Sequence, residues 1–293
     1  MIKFVNAKIN LGLNIIRKRD DGYHDIETVF YPIGIYNGLS QNPTSFGDIL
    51  EIHLNEKTHS DEFTFSGNLI DCKLEDNLVY KSLRLFRDSL KEIGKNSLAK
   101  NSFRIFLDKH IPDKAGLGGG SADATFVLKM LNEISGEPFN EDKLISMAAK
   151  IGADCPFFIP NVPVLASGIG DLFQPISINL KDFWAVIIKP DVSISTKEAF
   201  ANIIPTHNSV SIPSVLRQPV EQWEELGLSN AFETPFFKKY PNLKRIKTQL
   251  RDKGALYASL SGSGSSIYGL FRDPSLAKIA SESFGFQSFL IRL

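Results

Sequence analysis

Apolar and polar residues alternate at the start of the chain. Ile9, Leu11, Leu13 and Ile15 alternate with Lys8, Asn10, Gly12 and Asn14, the period of a half-buried strand. Lys8 and Asn10 then project from one face about 7 Å apart, which by itself describes a solvated strand face. Residues 17–22 read as a charged turn ending in the hairpin dipeptide Asp21-Gly22, and residues 23–33 as the returning strand. Short strands are expected over 48–54 and 62–65. A helix follows from Asp76-Asn77, with Val79, Leu83, Phe86, Leu90 and Ile93 on one face and Gly94 as its stop. Phe103, Ile105 and Leu107 mark another strand, and Ala124, Val127, Leu128, Leu131 and Ile134 another helix face, with Ser121 at its N-cap. Asn140 caps the next helix, which Gly152 ends.

The texture changes over 160–170, and a division after residue 163 is expected. Beyond it the pattern reads strand (183–188), helices, strand (256–260), strand (266–271), helix (274–284) and strand (286–291). That β-α-β-β-α-β order is the ferredoxin-like plan, here with a helical insertion over 215–228. The expected class is therefore α+β, with domains at 1–163 and 164–293.

A length of 293 residues accommodates two domains sharing a cleft. Lys plus Arg and Asp plus Glu both number 33, so no net field favours nucleic acid or an anionic membrane. Two cysteines, Cys72 and Cys155, suit a reducing compartment rather than a disulfide framework. Residues 1–6 lack the apolar core of a signal peptide, and no run of about 18 apolar residues occurs. A cytoplasmic protein without membrane or nucleic-acid partners is expected. His24, His53, His59, His110 and His207 are scattered, and none has a neighbour at metal-ligand spacing.

Candidate chemistry concentrates in residues 111–124, where four glycines crowd into 116–120 ahead of a helix. Glycines let the backbone turn left-handed and approach a ligand closely, and a helix N-terminus attracts anions, phosphate above all. The stretch is neither a Walker loop nor a dinucleotide fingerprint, because no Gly-Lys-Ser/Thr follows and Ser121 replaces the last glycine. Asp154 is an acid in an apolar run just past a helix stop. It bonds its local turn, or it is held in a cleft for chemistry. Tyr23 and His24 can stack on and hydrogen-bond a heterocycle, or be ordinary surface residues. A second small-residue loop, 260–266, is a phosphate or substrate contact or a tolerant turn.

Together these segments resemble the GHMP small-molecule kinases, named for galacto-, homoserine, mevalonate and phosphomevalonate kinases. Residues 112–124 and 260–266 resemble the two glycine motifs of that family. Ala7-Lys8-Ile9-Asn10-Leu11, Asp21-Gly22-Tyr23-His24 with Thr28 and Phe30, Glu75-Asp76-Asn77-Leu78, and 152–158 are similar to the branch that phosphorylates a cytidine-diphosphate-bearing alcohol in non-mevalonate isoprenoid synthesis. Residues 190–196 and Ser229-Asn230 also match. The resemblance implies an S5-like N-terminal α/β domain beside the ferredoxin-like one, with ATP as co-substrate and Mg2+ as its companion. It implies Lys8 and Asp154 as the catalytic pair. For ATP it implies Asn77, Lys109 and the loop Pro112, Asp113, Lys114, Ala115, Gly116, Leu117, Gly118, Gly119, Gly120, Ser121 and Ala122. For the cytidine substrate it implies Asn10, Tyr23, His24, Phe30, Thr196 and Phe200. No residue is expected as a dedicated metal ligand, Ser121 being only a candidate. The chain departs from the pattern at Lys114, where glycine is usual, and at Ala122, where a second serine is common. Lys114 either adds a charge near the phosphates or points to solvent. A different acceptor alcohol within the family, or a binding module without turnover, are the competing readings.

Overall fold

The computed structural model describes residues 1–34, 46–55, 60–70, 72–201, 203, 205 and 210–293, without the side chains of Thr196 and Lys197. His59 and His207 lie outside the described residues. The chain begins with β1 (Ile2–Val5), β2 (Ala7–Lys18), β3 (His24–Ile33), β4 (Asp48–Leu54) and β5 (Glu62–Gly67). It continues with α1 (Leu78–Glu92), α2 (Asn96–Ala99), β6 (Phe103–Lys109), α3 (Gly119–Ile134) and α4 (Glu141–Ile151). Next come β7 (Val164–Ser167), β8 (Leu172–Pro175), β9 (Trp184–Lys189), α5 (Thr196–Ala201), α6 (Ile212–Leu216), α7 (Glu233–Lys239) and α8 (Pro241–Asp252). Strands β10 (Tyr257–Leu260) and β11 (Ile267–Phe271), helix α9 (Pro274–Glu282) and strand β12 (Gln287–Arg292) complete it.

Three four-stranded sheets result. The first, ordered β1-β4-β6-β5, packs against α3, which α1 and α4 flank. Leu50, Ile52, Ile105 and Leu107 of the sheet meet Leu83, Phe86, Val127 and Leu131 of the helices in one core. The helices start where the sequence supplies acceptors for otherwise unpaired N–H groups: Asn77 accepts from Val79, and Asn140 from Lys143. The second sheet runs β2-β3-β7-β8. Its β7 pairs with β3, so residues just beyond the expected division at 163 hydrogen-bond to strands of the first half. The third sheet, β10-β11-β9-β12, is antiparallel throughout, which is the ferredoxin-like order. Helices α8 and α9 cover one of its faces. The other face packs Ile187, Tyr257 and Tyr268 against Ile9, Leu11 and Val29 of the second sheet. The two halves thus share a core. Among the described residues no helix is long and apolar enough to cross a membrane.

Two local expectations are corrected. Strand β2 does not have a solvated face, because every residue from Ala7 to Ile15 is buried. A bulge at Gly12 (φ 71°) shifts the register between Leu11 and Leu13. The extra residue inverts the alternation, so Ile9 and Leu11 enter one core while Leu13 and Ile15 enter another. Helix α3 starts at Gly119 with left-handed Gly118 at its N-cap, so Ser121 lies inside the first turn. The turn at Gly118 already points its carbonyl at Ala122 N, 2.8 Å away.

Candidate active site

Strand β6 delivers the chain to the glycine-rich loop, and α3 carries it away from a cavity of about 780 Å³. The loop is fastened from two sides. Lys8 N donates to Leu117 O at 2.9 Å, and Ser266 N to Ala115 O at 3.1 Å. The Ser261 hydroxyl donates to Gly116 O at 2.8 Å. A Cβ on Gly116 (φ 73°) would stand 2.0 Å from Ser261 O, so this close approach of the two glycine loops requires a residue without a side chain. The first N–H groups of α3 have no partner within the helix and open onto the cavity, a cradle for an anion.

Lys8 projects from β2 under this cradle. Its Nζ lies 2.6 Å from Asn10 Oδ1 and 3.4 Å from Asp154 Oδ2. The lysine side chain is 4% exposed, whereas that of Asp154 is 36% exposed, so the carboxylate meets the cavity and the ammonium stands behind it. Asn10 is held in turn, its side-chain amide donating to Thr28 Oγ1 at 2.9 Å and its backbone carbonyl accepting from Tyr268 OH at 2.8 Å. Asp154 faces the cradle because α3 grips the following turn. The Thr125 hydroxyl lies 2.8 Å from Cys155 O, and Lys129 Nζ donates to Ile159 O at 3.0 Å. Burial pushes the Cys155 thiol up to about 12, so it stays protonated and unreactive beside the acid.

Tyr23 and His24 line the same cavity. Tyr23 is 61% exposed, free to stack on an incoming ring. His24 is buried, 5.3 Å from the ring of Phe200, and among the described residues neither of its nitrogens has a partner. Burial first, and then the charge of Lys18, hold its imidazole below the ordinary range. A neutral, unpaired imidazole in a cavity wall is a donor and an acceptor awaiting a polar ligand edge.

Of the residues named from sequence, Lys8, Asn10, Tyr23, His24, Phe30, 112–121, Asp154 and Phe200 are brought together around this cavity. Lys114 is among them, in left-handed backbone (φ 48°) with Nζ 3.9 Å from Asp113 Oδ2. Ala122 is buried behind the loop. The Asn77 side chain caps α1. The Lys109 ammonium is enclosed with Asp48 and Asp123 rather than presented to the cavity. Thr196 opens α5, its side chain outside the described residues. Sequence reasoning missed the structural part of Asn230, whose amide donates to Leu260 O at 2.9 Å and Gly262 O at 2.8 Å and holds the second glycine loop in place. It also missed Asp48, for which no local pattern gives a signal, and gave no role to Asp123 inside the glycine motif.

A phosphate cradle, a lysine–aspartate pair and two interlocked glycine loops define a small-molecule kinase. Residues 77–160 match the GHMP kinases N terminal domain, and residues 211–287 the GHMP kinases C terminal domain. The chain belongs to the GHMP kinase family. It is 45% identical to the 4-diphosphocytidyl-2-C-methyl-D-erythritol kinase of Parabacteroides distasonis over 94% of this chain and 93% of that one. It is 47% identical to that of Bacteroides thetaiotaomicron, over 92% of each. The fold superposes on a crystal structure of 4-(cytidine 5'-diphospho)-2C-methyl-D-erythritol kinase with a TM-score of 0.78, at 28% identity and covering 99% and 98% of the two chains.

Proposed function

We propose that this chain transfers the terminal phosphoryl group of ATP to the 2-hydroxyl of 4-diphosphocytidyl-2-C-methyl-D-erythritol, with Lys8 and Asp154 as its catalytic pair. The observation that carries the reading is the half-exposed Asp154 carboxylate, 3.4 Å from buried Lys8, in the cavity that the glycine loop lines. The acceptor oxygen attacks the γ-phosphorus, the bond to the bridging oxygen breaks, ADP leaves, and Asp154 takes the hydroxyl proton. Lys8 holds the Asp154 carboxylate in place by proximity and steadies charge on the transferring group. The loop amides hold the ATP phosphates. Tyr23 stacks on cytosine while His24 bonds its edge, an orientation valuable for a crowded alcohol. Asn10, Phe30, Thr196 and Phe200 complete the acceptor side, and Asn77 and Lys109 back the nucleotide side.

Among the described residues no three His, Cys, Asp or Glu are grouped to hold a metal. Asp154 and Ser121 both line the cavity. They fit the habit of Mg2+, which takes one or two protein oxygens beside substrate phosphates and keeps several waters. Bound there, Mg2+ supplies neutralisation of the phosphate charge. Two free cysteines, one exposed and one buried, suit a cytoplasmic setting. ADP release measured with ATP alone, with the cytidine acceptor, and with homoserine or mevalonate tests the reading. Release with the cytidine acceptor alone is expected; release with another alcohol, or with none, defeats it.

A further inference from the structure

A second ionic centre lies beneath the glycine cradle, and phosphoryl transfer as described gives its two carboxylates no role. Lys109 Nζ hydrogen-bonds Asp48 and lies 2.8 Å from Asp123 Oδ2. All three side chains are sealed from solvent, at 4% exposure or less. The other oxygen of Asp48 accepts from His110 N at 2.6 Å and Ile111 N at 2.7 Å, the residues that lead into the loop. Asp48 opens β4, Lys109 closes β6 and Asp123 sits in the opening turns of α3. The centre therefore ties three segments together where the loop begins and ends. A Cβ on Gly119 would stand 2.9 Å from Lys109 Nζ, so the ammonium packs directly against the residue that starts α3.

We propose that Asp48, Lys109 and Asp123 are positioning residues for the nucleotide phosphates. They hold the loop and the N-terminus of α3 in the arrangement that presents their amides to ATP, and they touch no substrate. The inference rests on the kinase reading above. Burying three ionisable groups is expensive, and a packed apolar cluster would serve stability as well or better. What such a cluster lacks is direction. Asp48 fixes two successive N–H groups, and Lys109 fixes the height of α3 against β4 and β6. Burial pushes the Asp123 carboxyl up to about 8, with Lys109 opposing that rise and Asp48 adding to it.

Asp48→Asn keeps the shape but forces an amide donor against Lys109 or gives up a backbone acceptor. Its KM for ATP is expected to rise about tenfold, with kcat and the KM for the cytidine acceptor within about twofold of the unsubstituted enzyme. ADP titrated calorimetrically should bind more weakly by the same factor. Should Asp48→Asn fail to fold, the triple variant Asp48→Asn/Lys109→Met/Asp123→Leu leaves no lone charge and carries the same expectation. A folded variant with an unchanged KM for ATP, or with both KM values raised together, overturns the proposal. Failure of both variants to fold also overturns it, because the centre then serves global stability. Turnover by the unsubstituted chain tests the kinase reading separately.

Discussion

Lys8 and Lys109 flank the glycine loop, are buried alike, and differ in every other respect. The Lys8 side chain packs on Gly118, and Lys109 Nζ lies against Gly119. Lys8 has one carboxylate partner, Asp154, open to the cavity, and a neutral amide behind it. Lys109 has two carboxylate partners, both sealed. A cation whose counter-charge faces a cavity can redistribute its field as a reaction proceeds, while one enclosed by two acids can only hold position. Burial of a lysine therefore says little about its role; the exposure of its partner decides.

Three substitutions test this contrast. The largest effect is expected from Asp154→Asn, which removes the open carboxylate. Loss of a general base lowers kcat by about 10²–10⁴-fold, and ADP binding measured by calorimetry should survive because the cradle is intact. Turnover near normal would remove Asp154 from the mechanism. Asn10→Ala takes away the neutral partner of Lys8. A hydrogen bond to a charged group contributes about 1.5–3 kcal/mol, so kcat should fall by about 10- to 100-fold, with the KM for ATP nearly unchanged in steady-state assays. A rise confined to the KM for ATP would place Lys8 on the nucleotide side instead. The smallest effect concerns the closed centre. The Asp123 carboxyl rises from its ordinary 3.8 to about 8 in the folded chain. Between those values the native state keeps a proton that the unfolded state has released, so this contribution to stability is full below about 4 and lost as pH rises to about 8. Asp123→Asn lacks that slope. The Tm of the unsubstituted chain should decline relative to the variant between about pH 5 and pH 8, and parallel curves would show that Asp123 titrates normally.

Much of the site was legible because its signals are local. Gly116 and Gly118 are glycine since they turn left-handed against neighbouring backbone or side chains, and Asn77 and Asn140 start helices with their own carboxamides. Tyr23 and His24 sit beside a turn, which puts them at a rim in almost any packing. Less legible was β2, where a one-residue bulge divided the apolar positions between two cores and the polar positions expected at the surface are buried as well. The hairpin of β7 and β8 was not foreseen at all, since its partner strand β3 is remote in sequence.

By itself the sequence determined most of the strand and helix order, the glycine cradle and the kind of chemistry it serves. Those depend on side-chain periodicity and on dihedrals that only certain residues adopt, both of which act over a few positions. Tertiary structure alone decided that Lys8 reaches Asp154 while Lys109 is closed off by Asp48 and Asp123. The energy of a charged group depends on which opposite charges and how much water surround it, and here those surroundings come from segments far apart along the chain.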